Sequence, residues 1–304
     1  MGSDAMEFIE GKKAAIDAAI RKYLPKDFDE KYIRWILGKP TYAYTTAAVQ
    51  KTLAEPVHDF LGRGGKRWRP ALFLLFTEAL GGDQKKVSDF IVTLELLHEG
   101  SIMVDDIEDN SDMRRDKPCT HKLFGVDVAI NAGNFMYFLA FSPLMKNGGN
   151  FGKDTLLRAW NAAIEEMIRI HYGQGTDIAW HNGLADADNV SEQEYLQMCA
   201  YKTGVLSRLA ARLAVILASG SAELEEKLGR FSESIGVAFQ IQDDILNIAP
   251  TKGWGKEVGD DINEGKRTLL VIHTLKKASP ADRKRLIEIL GMHSKDQRII
   301  GEAI

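Results

Sequence analysis

Two acidic runs lie far apart in this chain, and each is followed by cations. The first is Asp105-Asp106-Ile107-Glu108-Asp109, with Arg114-Arg115 beyond it. The second is Asp243-Asp244-Ile245-Leu246-Asn247, with Lys256 and Lys266 further on. Carboxylates repel one another, so two such sets converging on one cavity require divalent cations. The nearby basic residues then imply an anionic ligand that completes the cations' shells. A diphosphate held through magnesium fits, because hard oxygen donors suit an ion that keeps some waters and takes phosphate oxygens.

Helical spacing sharpens this. Residues four apart share a face, so Asp105 aligns with Asp109, and His98 and Asp112 fall on the same stripe. Gln240, Asp243 and Asn247 line a face by the same count. A solvated helix end would account for either cluster alone. Both adjoin apolar runs, Thr93–Leu97 and Val237–Ile241, where solvated charge is out of place. The spacing and glycine of a calcium-binding EF-hand loop are absent.

The basic groups are the second element. Gly64-Gly65-Lys66-Arg67-Trp68-Arg69-Pro70 is a glycine turn leading into a helix with three cations, a pattern that binds anions. It is not a P-loop, since GxxxxGK[ST] does not occur. Arg114-Arg115 and Lys202-Thr203 are further phosphate-type donors, although Lys202 by itself would read as a snorkelling side chain. Gly173-Gln174-Gly175-Thr176-Asp177 places two glycines in a helical stretch, which close packing or a kink would compensate.

These groups need a scaffold, and the periodicity is helical nearly everywhere. Helices are expected at about 6–23, 43–62 with a kink at Pro56, 68–80 stopping at Gly81-Gly82, 84–110, 127–147, 154–182, 191–219 and 222–249. Ser191 with Glu194 forms a capping box, and Ser279-Pro280 opens a late helix. Residues 183–190 and 250–263 read as loops. Hairpin signals are absent, so no strands are expected. The expected fold is all-α, one helical domain over residues 1–304, with 1–6 a short leader of no structural role.

Composition excludes other classes. Of 304 residues, 45% are hydrophobic, which allows a sizeable core, and 39 basic against 43 acidic residues give a net charge of −4. That balance argues against a nucleic-acid partner. Cys119 and Cys199 have no CxxC spacing, so zinc is not expected, and two thiols fit a reducing cytoplasm. The charged first 25 residues argue against a secretory leader. The apolar stretch Val128–Met145 contains Asn131, Asn134 and Pro143 and reads as a buried helix, so no transmembrane segment is expected.

In order and spacing, these motifs resemble the trans-isoprenyl diphosphate synthases, the polyprenyl synthetase family. The resemblance runs from about residue 60 to 275. It includes GGKRxRP at 64–70, DDxxD at 105–109 with Arg114-Arg115, GQxxD at 173–177, Lys202-Thr203, FQxxDD at 239–244, GKxxGxD at 255–261 and Lys266.

The resemblance implies an all-helical bundle around a deep central cavity, and a homodimer. It implies magnesium on Asp105, Asp109 and Asp243. Arg114, Lys202, Thr203, Gln240, Lys256 and Lys266 would hold an allylic diphosphate (dimethylallyl, geranyl or farnesyl). Lys66, Arg69, His98 and Arg115 would hold isopentenyl diphosphate. Gly100 and Ser101, just before the DDxxD, would tune product length, and their small size would leave the tunnel open past fifteen carbons. With DDIEDNSDMRR at 105–115 and the DDxxN form at 243–247, the chain looks most like geranylgeranyl diphosphate synthases. The alternatives are a farnesyl or longer-chain synthase, or a non-catalytic partner subunit. Three departures stand out: Asn247 for the last Asp, Asp116 for a glycine after the Arg pair, and an early end at Ile304.

Overall fold

A computed structural model describes residues 3–250 and 258–304. Helices dominate, and the all-α expectation holds. Among the described residues the only strands are Met113–Arg114 and Lys117–Pro118, which pair antiparallel. This corrects the expectation of no hairpin. The turn is Arg115-Asp116, with φ of 52° and 61°. Two left-handed residues make the tight turn that matches strand twist, ordinarily written Asn-Gly or Asp-Gly. Arg-Asp does not announce it, although Asp tolerates that region better than most residues.

Several expected helices are present but interrupted. The stretch expected at 43–62 is Thr46–Val49, a π-turn over Gln50–Ala54, and Glu55–Gly62. Pro56 lacks an N–H, so the ladder cannot continue regularly into it and the turn before it widens. The 84–110 stretch breaks into Gln84–Val87, a 3₁₀ turn Ser88–Phe90, and Ile91–Glu108. The 127–147 stretch is Val126–Leu139 and Ser142–Lys146, with Pro143 in the first turn of the second helix. The helix Glu30–Leu37 was not expected; Asp29 caps it by accepting from the Tyr32 amide.

The chain forms two compact units. The first comprises Met1–Ala163 and Leu209–Gly229. Its central helix is Ile91–Glu108, in which every residue from Ile91 to Leu97 is buried. A helix covered all round belongs in a core. It crosses Val126–Leu139 at a pair of glycines: a Cβ on Gly100 would lie 3.0 Å from the Gly133 carbonyl, and one on Gly133 would lie 2.8 Å from Val104 Cγ2. Val126–Lys146 is apolar and long enough to cross a membrane, but 56% of an apolar 18-residue window within it is buried in the fold.

The second unit comprises Ile164–Arg208 and Arg230–Ile304. It takes the later part of Lys153–His181, then Glu192–Cys199, a π-turn at Ala200–Gly204, the later part of Ala222–Ile248, and Leu269–Lys277, Pro280–Met292 and Gln297–Ala303. The capping box at Ser191–Glu194 is formed, and Ser279 caps its helix. Backbones touch through glycine here as well. A Cβ on Gly173 would lie 2.3 Å from the Lys202 amide, and one on Gly236 would lie 2.7 Å from Gly204 Cα. The helical glycine at 173 therefore buys close packing at a cost in propensity.

Candidate active-site residues

The glycine turn of the first unit forms one wall of a cleft. Gly64 and Gly65 have φ of 88° and 151°, and Arg67 is left-handed at 51°. This bend brings Lys66 and Arg69 to the same cleft as His98 and Arg115, with Arg67, Glu95 and Glu99 also lining it. Arg69 Nη1 donates to His98 Nε2 at 3.0 Å. Burial, then the surrounding arginines, hold His98 well below its ordinary range, so its ring is neutral and can accept. Burial lowers Arg69 to about 10.

Glu95 and Glu99 were not anticipated as part of this cleft. They lie one turn apart on an otherwise apolar helix face, and that was the available signal, because buried carboxylates require partners. Arg67 Nη1 bonds Glu95 and lies 2.9 Å from Glu99 Oε1. Arg115 Nη2 donates to the same Glu99 oxygen at 3.0 Å, and Nη1 to the Gly64 carbonyl at 2.5 Å. Burial, then Glu99, push Glu95 up to about 8.

The first acidic motif ends the same helix. Asp105 and Asp109 are half-buried and one turn apart, with the Asp109 amide on the Asp105 carbonyl at 2.8 Å. They occupy the last turn and C-cap, where the helix dipole already disfavours negative charge. Cations must offset this. Arg114 contributes one, although it is directed to the second residue of the run: its Nη2 and Nε lie 2.6 and 2.7 Å from Asp106 Oδ1. Asp106 is fully buried. Burial, then Asp106, push the Cys119 thiol up to about 12, so Cys119 stays protonated. Gly100 faces the crossing with Gly133, and Ser101 Oγ returns to the His98 carbonyl at 2.8 Å.

In the second unit, Lys202 Nζ lies 2.5 Å from Asp177 Oδ2. Burial would raise Asp177, but Lys202 and Lys266 outweigh it and hold the carboxylate below its ordinary range. Thr203 Oγ1 donates to Gln240 Oε1 at 2.8 Å, and Gln240 Nε2 donates to Asp244 Oδ1 at 2.9 Å. Asp243 is half-buried. Lys266 Nζ lies 2.5 Å from Glu264 Oε2. Asn247 is buried; its Oδ1 accepts from the Asp261 amide at 3.3 Å and its carbonyl from the Gly259 amide at 2.9 Å. A neutral amide suits a buried position that tethers backbone. Lys256 lies outside the described residues.

Among the described residues, no group of three or more His, Cys, Asp or Glu side chains could hold a metal by itself. Paired carboxylates with hard oxygens nonetheless fit an ion such as magnesium, which is commonly held by one or two carboxylates, waters and phosphate oxygens.

The polyprenyl synthetase family model matches residues 50–304. A short chain isoprenyl diphosphate synthase from Methanothermobacter thermautotrophicus is 36% identical over 255 residues, covering 84% of this chain and 76% of that protein. A geranylgeranyl diphosphate synthase from Saccharolobus solfataricus is 35% identical over 242 residues, covering 79% and 72%. The crystal structure of geranylgeranyl pyrophosphate synthetase from Pyrococcus horikoshii superimposes with a TM-score of 0.82 at 30% identity, covering 99% of this chain and 83% of that one.

Proposed function

The chain belongs to the polyprenyl synthetase family and is a prenyltransferase, and we propose that it condenses isopentenyl diphosphate with an allylic diphosphate to give all-trans geranylgeranyl diphosphate. One observation carries the reading. A cleft lined by the cations Lys66, Arg69 and Arg115 and by neutral His98 opens on the helix that ends in Asp105 and Asp109. His98 and Asp105 are separated by seven residues, roughly 10 Å along that helix. One helix thus carries an anion pocket and a metal-type carboxylate pair.

In this reading the cleft holds isopentenyl diphosphate. The first unit offers Arg114 as a donor to the allylic diphosphate and Asp105 and Asp109 as magnesium ligands; the second offers Lys202, Thr203, Gln240 and Lys266 as diphosphate donors and Asp243 as a magnesium ligand. Bound magnesium stabilises charge on the leaving diphosphate. The basic side chains do the same with hydrogen bonds aimed at its oxygens. The allylic C–O bond breaks, with its electron pair leaving on diphosphate. The double bond of isopentenyl diphosphate, oriented by its own cations, then attacks the carbocation. A proton is lost to the released diphosphate. Apolar walls keep water from the cation.

Gly100 is filled by the crossing with Gly133, so half-buried Ser101 is the small residue before the DDxxD that supports growth past fifteen carbons to C20. A homodimer is part of the proposal, supported by Leu157, Trp160, Ile164, Ile168 and Tyr172. They recur every three or four residues along Lys153–His181, each at least 36% exposed. Such a stripe calls for a covering surface. We also assign the protein to the cytoplasm, since Cys119 and Cys199 are free thiols.

The test is labelled isopentenyl diphosphate with each allylic primer, read by product length. A C20 product is expected; mainly C15, or mainly C30 and longer, overturns the proposal.

A further inference from the structure

Asp244 is the second carboxylate of its motif, yet it is 3% exposed and its oxygens are already engaged. Tyr195 Oη donates to Oδ2 at 2.5 Å. Gln240 Nε2 donates to Oδ1 at 2.9 Å, and the Leu269 amide reaches Oδ2 at 3.4 Å. A carboxylate with donors on both oxygens is a brace within the protein. Thr203 extends the arrangement by donating to Gln240 Oε1. The order is Thr203 to Gln240 to Asp244, with Tyr195 closing the far end.

We propose that Tyr195 is a positioning residue for prenyl transfer: through Asp244 it fixes the turn of helix Ala222–Ile248 that presents Asp243 and Gln240. The inference rests on the functional reading above, in which those two side chains serve magnesium and the allylic diphosphate.

The surroundings suit the role. Tyr195 is 1% exposed and sits in an apolar cluster with Trp180, Met198, Cys199 and Ile272, which fixes its ring. Burial, then Asp244, push its hydroxyl far above the ordinary range, so it remains a donor at any working pH. Gln240 can offer its amide correctly only while Asp244 and Thr203 hold both ends. Asp243 adjoins Asp244 in sequence, so a shift in one turns the other. Outer partners of this kind orient metal ligands without touching the metal.

The test is the magnesium dependence of Tyr195→Phe, which removes one oxygen and keeps the ring. The magnesium concentration for half-maximal rate should rise by about tenfold, the scale of lost outer-partner support. The KM for isopentenyl diphosphate should not change. A merely structural role would lower thermal stability without moving the magnesium curve selectively. Tyr195→Phe combined with Asp244→Ala should be no worse than Asp244→Ala alone, because Tyr195 acts only through that carboxylate. If Tyr195→Phe does not fold, the magnesium curve of Asp244→Ala, which removes the acceptor of that bond, carries the test. A wild-type curve in an active, folded variant overturns the inference. A wild-type chain that transfers no prenyl group with magnesium and both diphosphates overturns the functional reading itself, and the inference with it.

Discussion

Glu99 and Arg115 are joined by a 3.0 Å bond between Oε1 and Nη2, and this buried carboxylate also holds Arg67 at 2.9 Å. A side chain from the central helix thereby ties the Arg115 hairpin to the glycine turn that starts Trp68–Ala79. Glu99→Ala would leave two guanidinium groups short of a partner. It should cost ~1–3 kcal/mol of stability. Glu99→Gln keeps an acceptor and should cost less. Thermal unfolding of the two variants checks the order, and equal stability would contradict it.

The same cleft predicts a pH dependence. Glu95 titrates at about 8 in the fold against an ordinary 4.5, because of burial and then Glu99. Between these values the folded chain binds more protons than the unfolded one, so stability falls as pH rises through that window. The contribution is complete below 4.5 and lost by about 8. Unfolding free energies of wild type and Glu95→Gln across that range should differ in slope, with the variant flatter. Parallel curves would count against a raised Glu95.

Asp105→Ala and Asp243→Ala should each lower turnover by about a hundredfold or more, the scale expected when a group stabilising developing charge is removed. Both positions are half-buried, so the helical circular dichroism spectrum should persist. Chelating magnesium from wild type should abolish turnover with the spectrum unchanged. Near-normal activity in either variant with magnesium present would refute the metal assignment.

Gly133→Ala should destabilise the first unit by ~1–3 kcal/mol, the usual cost of overpacking. The added methyl would lie 2.8 Å from Val104 Cγ2, so Val104 must turn or the helix crossing must open. Gly148→Ala, with nothing within 4 Å of the new methyl, is the control. The measurement is the denaturant midpoint, and similar midpoints for the two variants would contradict the crossing argument.

Much of this protein was legible from residue type and helical spacing. The cations of GGKRxRP, the stripe from His98 to Asp109, the capping box at Ser191 and the all-α class follow from local rules that a linear sequence carries. The interruptions at Pro56 and Pro143 were partly legible, since a proline marks the place but not the form of the break. The hairpin was not, because Arg115-Asp116 adopts a turn that its residue types do not advertise.

Tertiary structure alone separated the surroundings of the paired carboxylates within each motif. Asp106 and Asp105 are adjacent and chemically identical, yet one is fully buried on Arg114 and the other is half-buried. Asp244 and Asp243 divide in the same way, with Tyr195, 49 residues away in sequence, on the buried one. Spacing assigns a side chain to a helix face, whereas long-range packing decides what covers that face. A covered carboxylate must take its donors from the protein. A half-buried one stays within reach of a ligand.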